Sequence, residues 1–150
     1  YDAAAFANEL SLDEGLTPCY VLTGVTCEDA KSVGTNYMGC MNTTQKGIDS
    51  ATVALDGVTS VYDCEGYRLP TESEWEYSIR VGSITAFYPS TSQDGTISST
   101  SNDPNLNYIA WYYYNGYAVY GPTTYAAAGK EANAWGLYDM SGNVWEWTWD

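Results

Sequence analysis

Asp139, the turn Ser141-Gly142-Asn143 and Glu146 bring two carboxylates and a bent run of backbone carbonyls into one short stretch. Calcium takes about six to eight hard oxygens of these kinds, and a glycine turn flanked by two acids can wrap one such ion. The alternative needs no ion: Asp139 caps a turn and Glu146 meets Arg68 or Arg80. The sequence has no histidine, so it can build no His-containing zinc site.

A second constellation, Arg68 with Glu72, Glu74 and Glu76, has the look of an acid–base cluster. A helix start explains most of it. Thr71 is a good N-cap, Glu74 completes a capping box, and both Glu72 and Glu74 suit the positive end of a helix. Arg68 is expected to order that start through a carboxylate.

Cys19, Cys27, Cys40 and Cys64 form no CxxC pair. With the Ser, Thr, Gly and Asn richness around them, they read as disulfides made in an oxidising compartment, with buried free thiols as the alternative. Three pairings are open, and sequence proximity favours Cys19 with Cys27 and Cys40 with Cys64. Asn42-Thr43-Thr44 is a glycosylation sequon. Tyr112, Tyr113, Tyr114, Tyr117 and Tyr120 make a dense aromatic run that could serve as a contact surface.

The net charge is −14, with 19 acids against five Lys plus Arg. Such a surface repels phosphate backbones and anionic lipid, which excludes nucleic acid and membrane-surface partners. No apolar run reaches membrane length, so insertion is excluded as well. Apolar residues make up 45% of the chain, which is enough for a packed core in one domain's length.

The elements that must hold these residues are few. Residues 2–14 open in a helix, with a stripe of Ala4, Phe6 or Ala7, and Leu10, stopped by Gly15 and Pro18. Residues 19–66 read as loop with brief strands, such as 52–55. Residues 70–80 form the clearest helix, with Trp75 and Ile79 one turn apart on its core face. Asn115-Gly116 between aromatic runs predicts a type I′ hairpin. Residues 144–150 alternate as a strand would, placing Trp145, Trp147 and Trp149 together on one face. That face is read as core ahead of a sugar-stacking platform. The pattern is α+β with two short helices, short antiparallel strands and little regular structure.

Two stretches, "GYRLPTESEWEYSIR" and "NAWGLYDMSGNVWEWTWD", resemble signature blocks of the formylglycine-generating enzyme, or sulfatase-modifying-factor, family. "LSLDEGLTPCY" is similar to a third block, and the three occur in the family's order. The resemblance implies a C-type-lectin-like α+β fold in an extracellular, cell-surface or periplasmic setting. It also implies a structural calcium held by the side chains of Asp139 and Glu146 and the carbonyls of Gly142 and Val144. In much of the family an Asn stands at the position of Asp139. The family's second calcium site lies upstream and is not placed here.

The family's oxidase uses copper(I) on two thiolates that lie beyond the "GNVWEW" block; soft sulfur suits that ion. This chain ends at Asp150, and its four cysteines match no catalytic position. The chain therefore reads as the middle of a larger domain, without the family's N- and C-terminal parts. Two functions follow. One is a non-catalytic, secreted or surface module that binds another protein or its own copies through aromatic residues. The other is a piece of an active copper-dependent oxidase acting on sulfatase cysteines.

Overall fold

The first helix, α1, spans Asp2–Asp13 and turns its smallest residues inward: Ala4, Ala5, Ala7, Asn8 and Ser11 are buried. Phe6 and Leu12 point out, so of the two expected stripes the one through Ala4 and Ala7 turns inward, not the one through Phe6. The reason is polar. Asn8 gives its amide to the Tyr20 carbonyl (2.7 Å) and takes the Tyr20 N–H (3.1 Å), acting as a neighbouring strand would. Ser11 accepts the Tyr67 N–H at 2.8 Å. Gly66 beside it is obligatory, because a Cβ there would lie 2.3 Å from the Thr17 carbonyl.

The structure, a computed structural model, describes residues 1–27, 32–34, 40, 47–121 and 123–150, with the backbone alone at 32–34 and 120. Asn42 lies outside the described residues. The chain divides into two compact units, Tyr1–Leu69 and Pro70–Asp150.

In the first unit, β1 (Tyr20–Cys27) is the centre of an antiparallel sheet ordered β2-β1-β3, with β2 at Ser32–Gly34 and β3 at Ile48–Leu55. Two eight-residue strands thus stand within 19–66, where loop with only brief strands was expected. The buried positions of β1 are Tyr20 and Leu22, then Val25 and Cys27. That change of parity needs one extra residue. Gly24 supplies it, in a left-handed conformation at φ 60° and within the register shift between Thr23 and Thr26.

All four cysteines are crosslinked, but not by proximity in sequence. Cys19 joins Cys64 (Cα–Cα 5.3 Å) and Cys27 joins Cys40 (5.1 Å). The favoured Cys19–Cys27 pair is excluded by the strand between them. Eight residues of extended chain carry their Cα atoms roughly 26 Å apart, against the ~4.4–6.8 Å that a bridge spans.

The second unit begins with α2 (Glu72–Arg80), whose capping box is formed as expected. Thr71 Oγ1 accepts the Glu74 N–H at 3.2 Å, and Glu74 Oε2 accepts the Thr71 N–H at 2.9 Å. Glu76 and Arg80 pair across one turn at 2.8 Å. Ile79 packs against a core of Tyr88, Ile109 and Ala110, joined by Phe87, Leu106, Tyr112 and Met140.

The predicted hairpin is absent. Two single helical turns, α3 (Leu106–Ile109) and α4 (Tyr117–Tyr120), flank Asn115-Gly116 instead. Asn115 folds back on its own backbone: its Oδ1 accepts the Tyr112 N–H (2.9 Å) and its Nδ2 donates to the Ala110 carbonyl (2.8 Å). The Gly116 N–H then closes on the Tyr112 carbonyl at 2.7 Å, a helical spacing that strand pairing would forbid.

The terminal stretch is not a strand either; two of its three indoles are not core, and Trp149 is half-buried. Trp145 is 94% exposed and Trp147 73%. Among the described residues no strand pairs with 144–150. Its ties are Glu146, which accepts the Trp75 indole N–H, and the end, where the Trp149 N–H reaches the Pro70 carbonyl (2.9 Å) and Asp150 accepts the Glu72 N–H (2.7 Å). Without a ladder there is no common face to bury. The double substitution Trp145→Ala/Trp147→Ala is accordingly expected to change unfolding free energy by less than about 0.5 kcal/mol in a denaturant titration. A loss of about 3 kcal/mol or more would mean that these indoles are core.

Buried Asp103 gathers the backbone of residues 98–106 around its carboxylate. It accepts N–H bonds from Ser98 (2.6 Å), Ser99 (2.8 Å), Asn105 (2.8 Å) and Leu106 (3.0 Å). The Leu106 N–H is foremost in holding its carboxyl down at about 2. A carboxyl with a folded pKa below its unfolded value of about 3.9 stabilises above that value, and the contribution disappears as pH falls toward 2. Asp103→Asn should therefore flatten the acid limb of the stability profile between about pH 4 and pH 2. An unchanged acid limb would reject this assignment.

Candidate functional site

An open cleft of about 890 Å³ lies within the second unit. One side is Trp75 and Ile79 of α2, another is Trp111, Tyr112 and Tyr113, and the turn 140–146 closes it. The turn is pinned from behind. Asn143 accepts the Tyr125 N–H (2.9 Å) and donates to the Tyr125 carbonyl (3.1 Å), while its own N–H meets the Trp111 carbonyl (2.9 Å). Gly142, at φ 109°, passes so close that a Cβ would lie 2.2 Å from the Trp111 carbonyl oxygen. Asp139 and Asn143 both adopt left-handed backbone, which their short polar side chains tolerate.

Gly142, Val144 and Glu146 line this cleft, and Asp139 does not. One oxygen of Asp139 accepts the Ala128 N–H at 2.7 Å; the other, Oδ1, is buried and has no hydrogen-bond partner. The Gly142 carbonyl accepts the Val144 N–H at 2.9 Å. Glu146 Oε2 takes the Trp75 indole N–H, while Arg80 is engaged by Glu76 and the Thr85 carbonyl. Arg68 donates to the Leu69 carbonyl and lies over the Tyr62 ring. Among the described residues, no three acidic, histidine or cysteine side chains are gathered as a metal-binding group. For calcium, the stranded Asp139 oxygen is the feature that fits, because a buried carboxylate oxygen without a donor is relieved by a cation.

The aromatic wall has its own order. Trp111 stacks on Tyr125 with centroids 4.1 Å apart, and Lys130 Nζ sits 3.8 Å from the Trp111 ring centroid. Burial pushes the Lys130 amine down. Tyr113 stacks on Tyr117 (5.5 Å) and meets Tyr114 edge-on (5.2 Å). Tyr113, Tyr114 and Tyr117 are exposed. Tyr112 is half-buried; its hydroxyl accepts the Asp103 N–H (2.9 Å), and burial pushes it up. The Tyr120 side chain lies outside the described residues. Beneath the wall, Tyr88 donates to the Glu131 carbonyl (3.1 Å). It is pushed up to about 12 by burial, then by the charges of Asp139 and Glu131.

Sequence reasoning missed Trp75 and Trp145 as cleft residues, having assigned both to the core. It also missed Trp111 and the brace at Asn143. The "SGN" turn signalled the last of these, but its partner Tyr125 is 18 residues away.

The whole chain, residues 1–150, matches the family described as "Sulfatase-modifying factor enzyme 1-like domain". It is 32% identical over 164 aligned residues to "Chaperone protein LppX" of Paenibacillus barcinonensis, covering 100% of this chain and 49% of that protein. It is 40% identical over 86 residues to the "Formylglycine-generating enzyme" of Mycobacterium tuberculosis, covering 55% of this chain and 27% of the enzyme. The mouse enzyme of the same name is 33% identical over 91 residues, covering 57% and 22%. The solved structure of "Treponema denticola variable protein 1" superposes with a TM-score of 0.63 at 29% identity, over 99% of this chain and 46% of that one. The chain thus spans about half the length of the first relative and less of the enzymes. With its mixed α/β architecture of short elements, the chain belongs to the sulfatase-modifying-factor, or formylglycine-generating-enzyme, family.

Proposed function

We propose that this domain is a non-catalytic binding or assembly module of a secreted, cell-surface or periplasmic protein, with a calcium-stabilised turn beneath its contact surface. The observation that carries the reading is the aromatic surface itself: Tyr113, Tyr114, Tyr117 and Trp145 stand in solvent beside an open cleft. Large exposed aromatics of this kind are what contact surfaces are made of. The two disulfides support an oxidising compartment, and among the described residues no helix is long and apolar enough to cross a membrane.

Copper does not fit the residues of this chain. Copper(I) of the family's kind takes thiolates, and all four cysteines are joined to one another in the first unit. The enzyme relatives nevertheless favour a second reading, a portion of a copper-dependent oxidase acting on sulfatase cysteines. Copper titration with a peptide-oxidation assay on the full-length protein separates the two; turnover rejects the non-catalytic reading.

Calcium fits better. Asp139 Oδ1, the Gly142 and Val144 carbonyls and the second oxygen of Glu146 would hold it, supplying structural stability rather than chemistry. Calcium at about 100 times its dissociation constant should raise unfolding free energy by about 2.7 kcal/mol over EDTA. Asp139→Ala should abolish that difference. Identical melting curves in calcium and EDTA would remove the ion from this proposal.

A further inference from the structure

Beside the cleft, and sharing Trp111 with it, lies a second open hollow of about 460 Å³. Its chemistry is different. Tyr117 and Tyr125 give it ring surface, Thr123 and Thr124 give it hydroxyls, and among the described residues that line it none is charged. The chain around it carries a net charge of −14. The hollow is also held in shape. Asn143 pairs with both backbone groups of Tyr125, at 2.9 and 3.1 Å, and the Tyr125 ring lies against Trp111 with centroids 4.1 Å apart. A Cβ on buried Gly116 would lie 2.9 Å from the Tyr112 carbonyl oxygen and 3.2 Å from the Tyr125 ring, so only glycine leaves that ring its place. Tyr117 stacks on Tyr113 with one face (5.5 Å) and is 54% exposed, which leaves ring surface open to solvent.

We propose that this hollow binds a neutral saccharide, its C–H face against the tyrosine rings and its hydroxyls on Thr123, Thr124 and the backbone beside them. The proposal rests on the binding-module reading and names a ligand for it. The lining sorts the ligand classes. An anion finds no cationic partner here and is repelled by the chain as a whole. A cation finds no carboxylate to replace its water. A wholly apolar ligand would cover threonine hydroxyls without pairing them, at a cost of about 1–3 kcal/mol for each one buried. A saccharide carries an apolar face and a rim of uncharged donors and acceptors, which matches rings flanked by hydroxyls. The volume lies in the range of small-molecule sites, roughly 300–1,000 Å³. A site already held in shape also spends little binding energy on ordering its own side chains.

The test is calorimetric titration of the full-length protein with maltotriose, cellotriose and N,N′,N″-triacetylchitotriose, each to about 10 mM, a range that covers millimolar affinity. Triglucosamine and trigalacturonate serve as cationic and anionic sugars of similar size. At least one neutral sugar should bind, with an affinity that changes less than about twofold between about 50 and about 500 mM salt. Tyr117→Ala should weaken it at least about tenfold with an unchanged melting temperature. Tyr117→Phe, which keeps the ring, should stay within about threefold, and Thr124→Val should cost several-fold. Trp145→Ala, in the neighbouring cleft alone, should change it less than about twofold. Failure of all three neutral sugars to bind overturns the proposal, and so does binding that Tyr117→Ala leaves intact. Tighter binding of triglucosamine overturns it too, by giving the sugar to the carboxylates of the cleft, Glu72, Glu146 and Asp150. Self-association of a protein that binds no sugar would leave the module reading standing while this proposal falls; peptide turnover in the copper assay would instead remove the reading on which it rests.

Discussion

Buried backbone must find hydrogen-bond partners, and this chain has few ladders to provide them. Amide and carboxylate side chains take their place. Asn8 pairs with both polar groups of Tyr20, and Asn143 does the same for Tyr125. Asn115 bridges Ala110 and Tyr112. Asn133, buried, accepts from Trp135 and Leu137 and donates to the Ser78 carbonyl. Asp103 gathers four N–H groups. A buried polar group left unmade costs about 1–3 kcal/mol, so each of these residues fixes a stretch of irregular chain.

The rest of the architecture follows from that substitution. Because asparagines clamp the loops, the apolar core of the second unit is small, built on Tyr88 and Ile109. Many aromatics stand at the surface instead, and Trp75, Trp111, Tyr112, Tyr113 and Trp145 frame the cleft. In the first unit a ladder does form, though bulged at Gly24, and the ends of β1 are secured by sulfur.

What could be read from sequence divides along the same line. Both longer helices were legible because their causes are local: an alanine-rich run for α1, and the Thr71–Glu74 capping box for α2. The disulfide pairing was not, because β1 lay hidden in a Thr/Gly-rich stretch whose partner strand begins 21 residues after it ends. Nor was the fold of 106–120, where Asn-Gly signals a hairpin but the Asn side chain closes a helical turn. At the site, the glycine turn and its flanking acids were visible in a few consecutive residues. The cleft was not, since it joins α2 to Trp111 and Trp145 across more than 70 positions.

The two bridges are nested: the Cys19–Cys64 loop encloses the Cys27–Cys40 loop entirely. Neither crosses the other, so oxidation in either order leaves the second pair free to meet. Once both have closed, Cys19, Cys27 and Cys40 are buried. Half-buried Cys64 leaves the outer bridge within reach of a dissolved reductant, whereas the inner Cys27–Cys40 bridge is reached only when its surroundings open, and its rate of reduction becomes a clock for that opening.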